Sequence, residues 1–253
     1  VNREHNTFDL DKSVERFAEC KAKANNTEVV WWDVHGNHDE TKECRWMYPP
    51  VTATVGPVVY GATKSSAKRP NVVYTQWIHN GQASSSQKTT IERKTKHKKT
   101  ATWHVKGGFS YSGSTEASAG FWKIVDIGTE HEISLDLKGG YRKEVSDTET
   151  FSVNDVVTVP PMKSVKIEWI ITDDVQEVLW TSPVTLTRYF AIKFKDALKG
   201  RHMWFYSLSS LQDSRLQSVC ARHETFLYTA RGTFTAVEAH EAQLKVTEHN
   251  VQA

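Results

Sequence analysis

The reading of this chain turns on three neighbouring stretches: TWHVKGGFSYS at 102–112, GFWKIVDIG at 120–128 and HEISLDLKGGY at 131–141. In the first, Trp103, Val105, Phe109 and Tyr111 fall on one side of an extended chain. Thr102, His104, Lys106, Ser110, Ser112 and Ser114 fall on the other, because successive strand side chains point to opposite faces. The third repeats the scheme. Ile127, His131, Ile133, Leu135, Leu137 and Tyr141 face one way, and Glu130, Glu132, Ser134, Asp136 and Lys138 face the other. Between them lies an apolar tip, Phe121, Trp122, Ile124 and Val125, bracketed by Gly120 and Gly128. The pattern predicts an amphipathic β-hairpin over about Thr102 to Tyr141. A ribbon with one apolar and one polar face suits a polar-lumened barrel in a bilayer, and it also suits a half-buried surface hairpin.

Working outward, the 253 residues suffice for one large all-β domain or two smaller ones. With 32 basic and 30 acidic side chains the whole molecule is not built as a polyanion binder, and no nucleic-acid partner is expected. No window approaches the roughly 18 consecutive apolar residues of a transmembrane helix. Membrane contact would be peripheral, or would use strands assembled after folding. A lone hairpin leaves edge amides unsatisfied in lipid, so insertion requires a closed barrel of several copies.

Asp9 to Ala24 is predicted as the one convincing helix, capped by Asp9 or Asp11, with Leu10, Val14 and Phe17 near helical spacing. Val29 to Trp32 reads as a short buried strand and His35 to Asp39 as a turn. Val51 to Tyr60 and Asn71 to Ile78 read as strands joined by a loop, Gly61 to Pro70. The polar run from Asn80 to Ser86 marks a boundary. Beyond it, Ser/Thr-rich alternation lengthens, through Lys88–Glu92, Ser146–Val153, Val156–Pro161 and Val165–Ile171. Strands longer than the usual five or six residues imply an elongated sheet. Shorter strands return at Thr185–Lys195, His202–Leu208, Thr225–Ala230 and Gln243–Thr247.

Three cysteines preclude full internal pairing. A Cys20–Cys44 bridge in a secreted protein stands beside three buried thiols in a reducing compartment. Asn25-Asn26-Thr27 is a glycosylation acceptor triplet. The cluster Trp31, Trp32, Trp46, Tyr48 and Trp77 offers rings to stack on sugars or choline headgroups, or the core of a first domain. The basic run from Arg93 to Lys99 splits its charge over both faces of a strand, which favours a solvated face over an anionic-lipid patch. His35, His38, Asp39 and Glu40 lack a fixed ligand framework, so no metal or cofactor is expected. Gly-x-Ser-x-Gly, the phosphate-cradling glycine loop and His-Glu-x-x-His are all missing from the sequence, and an enzyme is not expected.

On these residues the chain resembles the aerolysin-like β-pore-forming proteins, in the branch of epsilon toxin, mosquitocidal toxins and hydralysin. The resemblance covers about 84–184 and the closing segment from Ala230 to Val246. It rests on the Ser/Thr-rich strands, the central amphipathic hairpin, the alternating run into Val159-Pro160-Pro161 and a strand ending near Pro183. It implies a mainly β, elongated fold with long twisted antiparallel strands, an insertion hairpin and one N-terminal helix. Residues 1–83, with strands of about 185–230, would bind a surface receptor, a glycan or a lipid-anchored protein. Residues 84–184 with about 231–253 would form the pore and oligomerisation module. The secreted monomer would join a ring of copies on a target-cell membrane and insert one hairpin per subunit. Phe121, Trp122, Ile124 and Val125 would lead. Val105, Phe109, Tyr111, Ile133, Leu135 and Leu137 would meet lipid. Lys106, Ser110, Ser112, Glu130, Glu132, Asp136 and Lys138 would line the lumen. A non-lytic carbohydrate-binding, storage or defence protein on the same fold is the alternative.

Overall fold

The computed structural model describes residues 6–112, 115–120 and 132–251. In chain order the elements are β1 (Thr7–Asp9), α1 (Leu10–Ala24), β2 (Val29–Asp33), α2 (Asp39–Glu43), β3 (Thr52–Val55), β4 (Val59–Asn80), β5 (Gln87–Ser110), β6 (Glu116–Gly120), β7 (Glu132–Asp136), β8 (Arg142–Val159), β9 (Lys163–Thr187), β10 (Tyr189–Leu198), β11 (Arg201–Ser207), β12 (Gln217–Cys220) and β13 (Thr225–Asn250). The fold is mainly β and elongated, as expected, with one long N-terminal helix.

Helix α1 starts where the sequence says it should. The Asp9 carboxylate accepts the Lys12 N–H at 3.1 Å, satisfying a donor that the first turn leaves open. Leu10, Val14, Ala18 and Ala22 recur every four residues and are buried, and Lys21 and Lys23 sit favourably in the last turn. Phe17 packs edge-on against Phe190 and Tyr206, which seats the helix on a three-stranded sheet ordered β11-β10-β2.

The rest is dominated by one sheet in which β9 runs antiparallel between β4 and β13 for nearly its whole length. At roughly 3.3 Å per residue, the 25 residues of β9 extend about 80 Å. The segment Gly61–Pro70 is part of β4 rather than a loop, and β13 joins into one strand the two short ones expected at Thr225–Ala230 and Gln243–Thr247. Pro70 is tolerated because β4 is an edge strand, pairing with β9 alone. Residues 81–86 join β4 to β5, and β3 and β4 both pair into the long sheet.

Strand β5 pairs with β13 only over Thr100–Gly107, but with β8 from Gln87 to His104. Away from the helix, the β5–β8 ribbon lies face to face on β4, β9 and β13. Ile78, Ile91, Val157, Val159, Val165 and Ile167 form a separate small core there. The layers are also tied by His97 to Asp173 at 2.6 Å, with Asn71 donating to the same carboxylate at 2.9 Å. Arg93 lies 4.3 Å above the Tyr74 ring and donates to its hydroxyl. The larger core sits beneath α1, around Phe8, Trp103, Phe109, Trp180, Phe190, Phe194 and Phe234.

The pairing of the central stretch differs from the expectation. The face alternation of Trp103, Val105 and Phe109 is real, and all three are buried. Their strand, however, is β5, a central member of the large sheet, flanked by β13, β8 and, in parallel, β1. It is not a leg of the hairpin. The partner of Ile133 and Leu135 is β6, and the two form a separate two-stranded sheet with Ala117 opposite Leu135 and Ala119 opposite Ile133.

Candidate functional site: the stored hairpin and the surfaces around it

The β6–β7 pair keeps the two-faced pattern in compact form. Ala117, Ala119, Ile133, Leu135 and, just beyond, Leu137 are buried. Glu116, Glu132 and Ser134 are exposed on the other side. On that wet face the hydroxyl of Ser118 donates to Glu132, and Ser134 donates to Glu116 at 2.8 Å, so cross-strand pairs fasten the ribbon to itself. The apolar face belongs to the large core with Trp103, Val105 and Phe234, and Tyr60 packs against it. The tip residues Phe121, Trp122, Ile124 and Val125, and lumen candidate Glu130, lie outside the described residues.

Few backbone bonds hold the ribbon to the body. The Val58 N–H donates to the Ser118 carbonyl at 2.8 Å, and the Tyr60 hydroxyl donates to the Gly120 carbonyl. Tyr60 in turn accepts the indole N–H of Trp103 at 2.9 Å, and burial pushes its own pKa up to about 12, so it remains a neutral donor. Along the outer side of β7, a groove of about 670 Å³ opens between Glu132, Ile133, Ser134 and the β8 residues Lys143 to Ser146.

The base of the ribbon is held by the N-terminal part of the chain. Asp11 accepts the Ser112 N–H at 2.7 Å and meets His35 Nε2 at 2.9 Å, and the Ser112 hydroxyl reaches His35 at 3.0 Å. The Tyr111 ring packs edge-on to His35, and its hydroxyl donates to the Val51 carbonyl at 2.9 Å. On the returning leg, Phe109 N–H bonds the Leu137 carbonyl, and Gly139 N–H bonds Thr7 Oγ1. Gly108 allows this approach, since a Cβ there would lie 2.2 Å from the Leu137 oxygen.

His35 is positioned by the loop that Asp33 organises. That carboxylate accepts the N–H groups of His35, Gly36 and His38 and the hydroxyl of Thr41. Burial alone raises the Asp33 pKa, but bonds from Thr41 and from the backbone outweigh it, and the group ends below the ordinary carboxylate value. The loop residues considered for metal binding are engaged otherwise: His35 with Asp11, His38 stacked 4.2 Å from Trp31, Glu40 with Lys193.

The aromatic candidates do not form one cluster. Trp31 and Trp32 lie on β2, half-buried, and Tyr48 is sandwiched between Phe205 at 4.5 Å and Tyr189. Trp46, 80% exposed beside half-exposed Met47, is the most exposed of these aromatic candidates. Trp77 belongs elsewhere, near the far end of β4, with Lys166 5.9 Å above its ring. The basic run divides as a ribbon must: Lys98 and Lys99 pair with Glu144 and Glu149 on β8, while His97 turns inward to Asp173.

All three cysteines are free thiols. The Cys20–Cys44 bridge is not formed, because Cys20 points outward from α1 while Cys44 caps α2. Asn25 is exposed at the C-cap of α1, and the Thr27 hydroxyl donates to Asp196 at 2.9 Å. The sequence did not single out Asp11, His35 and Val51 as anchors of the hairpin, since nothing in local spacing relates them to Ser112 and Tyr111.

No family model and no curated protein matches the chain. Solved structures do. The chain is similar to the parasporin-2 toxin of Bacillus thuringiensis that recognizes cancer cells, at 18% identity, over 93% of this chain and 92% of that one, with a TM-score of 0.62. It is also similar to a non-toxic crystal protein of Bacillus thuringiensis, at 12% identity over 97% and 98%, with a TM-score of 0.53. At such identities the likeness is one of fold. The long antiparallel strands, the separate two-stranded ribbon and the end-to-end match to parasporin-2 give this chain an aerolysin-like fold.

Proposed function

We propose that this protein is secreted, docks on a target-cell receptor, assembles with copies of itself and inserts the β6–β7 ribbon of each subunit to close a transmembrane β-barrel. The supporting observation is the ribbon itself: a two-stranded sheet that pairs with no other strand among the described residues, apolar on one face, polar on the other. Exchanging protein for acyl chains leaves that apolar face satisfied, and joining neighbouring ribbons satisfies the edges. From Thr115 to Leu137 the sequence supplies two legs of about ten residues, the length of a tilted barrel strand. Ile133, Leu135 and Leu137 would meet lipid, and Glu132 and Asp136 the lumen. Val105 and Phe109 stay in the body. The 1–83 region with 185–230 carries the receptor contact through Trp46, on a glycan or a lipid-anchored protein. No catalytic role is assigned.

The test is a disulfide between positions 58 and 118, whose backbones are bonded, in a variant with the three native cysteines replaced by serine. Dye release from receptor-bearing cells or vesicles should vanish when oxidised and return on reduction. Equal release in both states would remove the ribbon as inserter. A second reading, a non-lytic binding or storage protein, is favoured by the fold likeness to the non-toxic crystal protein. It requires cell binding without release in either state.

A further inference from the structure

Between β1, β5, β12 and β13 lies a pocket of about 200 Å³ that the hairpin does not use, lined by Asn6, Gly107, Arg215, Gln217, Leu227, Tyr228, Thr229 and Arg231. Two guanidiniums, two carboxamides and two hydroxyl-bearing side chains line it, and none of its lining residues carries a carboxylate. We propose that this pocket binds an anionic saccharide, with Arg231 and Arg215 taking its carboxylate or sulfate.

Arg215 is held in place from two sides. Its Nε and Nη2 donate to Asp213 at 3.0 and 2.8 Å, and its guanidinium lies 4.6 Å over the Phe8 ring. A guanidinium has five N–H donors, so the fork keeps donors to spare for a ligand. Arg231 has no carboxylate partner among the described residues. Its side chain lies against Gly107, where a Cβ would stand 3.0 Å from Cγ and 3.1 Å from Nε. The strand register shifts between Arg231 and Gly232 opposite this glycine, so the backbone opens at the point where the side chain lies. Both cations act on the floor of the pocket. Burial raises the Tyr228 pKa, and the charges of Arg215 and Arg231 pull against that rise, with Asp213 opposing them. An oxyanion placed between the two arginines meets that positive field.

A sugar follows from the remaining donors. Asn6, Gln217 and Thr229 supply both hydrogen-bond senses for hydroxyl groups, and Leu227 supplies an apolar face. The volume is under the roughly 300–1,000 Å³ of drug-sized sites, which limits the occupant to about one sugar unit. The inference rests on the receptor-binding reading only for what carries the sugar; binding itself needs neither assembly nor insertion.

The soluble protein is titrated calorimetrically with glucuronic acid, N-acetylneuraminic acid, inorganic sulfate and, as the neutral control, glucose. At least one acidic sugar should bind more tightly than sulfate, while glucose should not register. Arg231→Gln should weaken the acidic sugar about tenfold or more, the cost of one charge-assisted hydrogen-bonding group. Gly107→Ala, which displaces the arginine without removing its charge, should weaken it as well. Thermal midpoints of both variants are measured beside the wild type. Sulfate binding without any sugar preference would overturn the saccharide assignment. No anion binding, or identical affinity in wild type and Arg231→Gln, would overturn the site. Dye release is scored separately: a protein that leaks membranes but binds no acidic sugar loses this inference and keeps the pore reading, and the converse result does the reverse.

Discussion

The Asp11 carboxylate, in the first turn of the N-terminal helix, accepts the backbone N–H of Ser112 at 2.7 Å. Ser112 lies shortly before Thr115, where the described part of the ribbon begins, so the helix grips the base of the ribbon. Removing that acceptor leaves a donor unsatisfied and frees His35. Asp11→Ala should speed hydrogen–deuterium exchange in 115–120 and 132–137 by about tenfold, one lost hydrogen bond to a charged group, while β9 exchanges as before. Equal rates in both proteins would mean that the ribbon is held by its apolar face alone.

The apolar face makes its own prediction. Leu135 is fully buried, and Leu135→Ala should cost about 2–5 kcal/mol in urea unfolding. Ser134→Ala, one residue away on the exposed face, should stay within about 0.5 kcal/mol. Two similar losses would show that the ribbon does not separate its faces in solution.

Acid should loosen the loop that holds His35. Asp33 is held below its ordinary value of 3.8 by accepting four bonds, so its folded pKa lies under its unfolded one. Such a group stabilises the fold at pH above its unfolded value and loses that contribution as pH falls through the folded value. The thermal midpoint should therefore fall more steeply below pH 4 in the wild type than in Asp33→Asn. Parallel curves for the two proteins would place the acid sensitivity elsewhere.

Exposure separates the aromatic side chains into two roles. Trp46 is mostly in solvent, so Trp46→Ala should leave the unfolding midpoint within experimental scatter while reducing binding to target cells. Tyr48→Ala, which removes a ring stacked on Phe205 and edge-on to Tyr189, should instead cost roughly 3 kcal/mol of stability. Unchanged cell binding by the Trp46 variant would take the receptor contact away from this corner.

Alternation in the sequence reported which side is buried around Trp103 to Phe109 and around Ile133 to Leu137, though Ser110 of the expected polar face is buried and Val30 of the expected buried strand is exposed. Trp103, Val105 and Phe109, like Ile133, Leu135 and Leu137, point where their spacing says. It carried no information about partners, because a period of two fixes a face and leaves the neighbouring strand open. That is why β5 looked like a leg of the hairpin. Glu116–Gly120, the strand that pairs with β7, carries little pattern of its own: its apolar positions are alanines, whose small side chains give a weak contrast with Ser118. The length of β4 was cut short for a related reason. Lys64, Lys68 and Arg69 of β4 fall in the stretch expected as a loop, yet they sit on strand faces exposed to solvent. The helix was legible almost to the residue, since its cap and its four-residue spacing are local. The contacts of Asp11 and His35 with Ser112, from 77 to 101 positions away in the chain, were beyond any local signal.

Strand β8 has one further consequence. Among the described residues it pairs only with β5, over eighteen consecutive positions without a bulge or a proline, which leaves its outer rim without a strand partner there. From residue 144 to 159 the strand carries Glu144, Asp147, Glu149 and Asp155 and not one lysine or arginine; Lys98 and Lys99 of β5 take up Glu144 and Glu149, so the acidic character of the rim rests on Asp147 and Asp155. Two such rims repel each other, so concentrated solutions at low ionic strength should stay dispersed, and added salt, by screening that repulsion, should be what first makes the molecules stick.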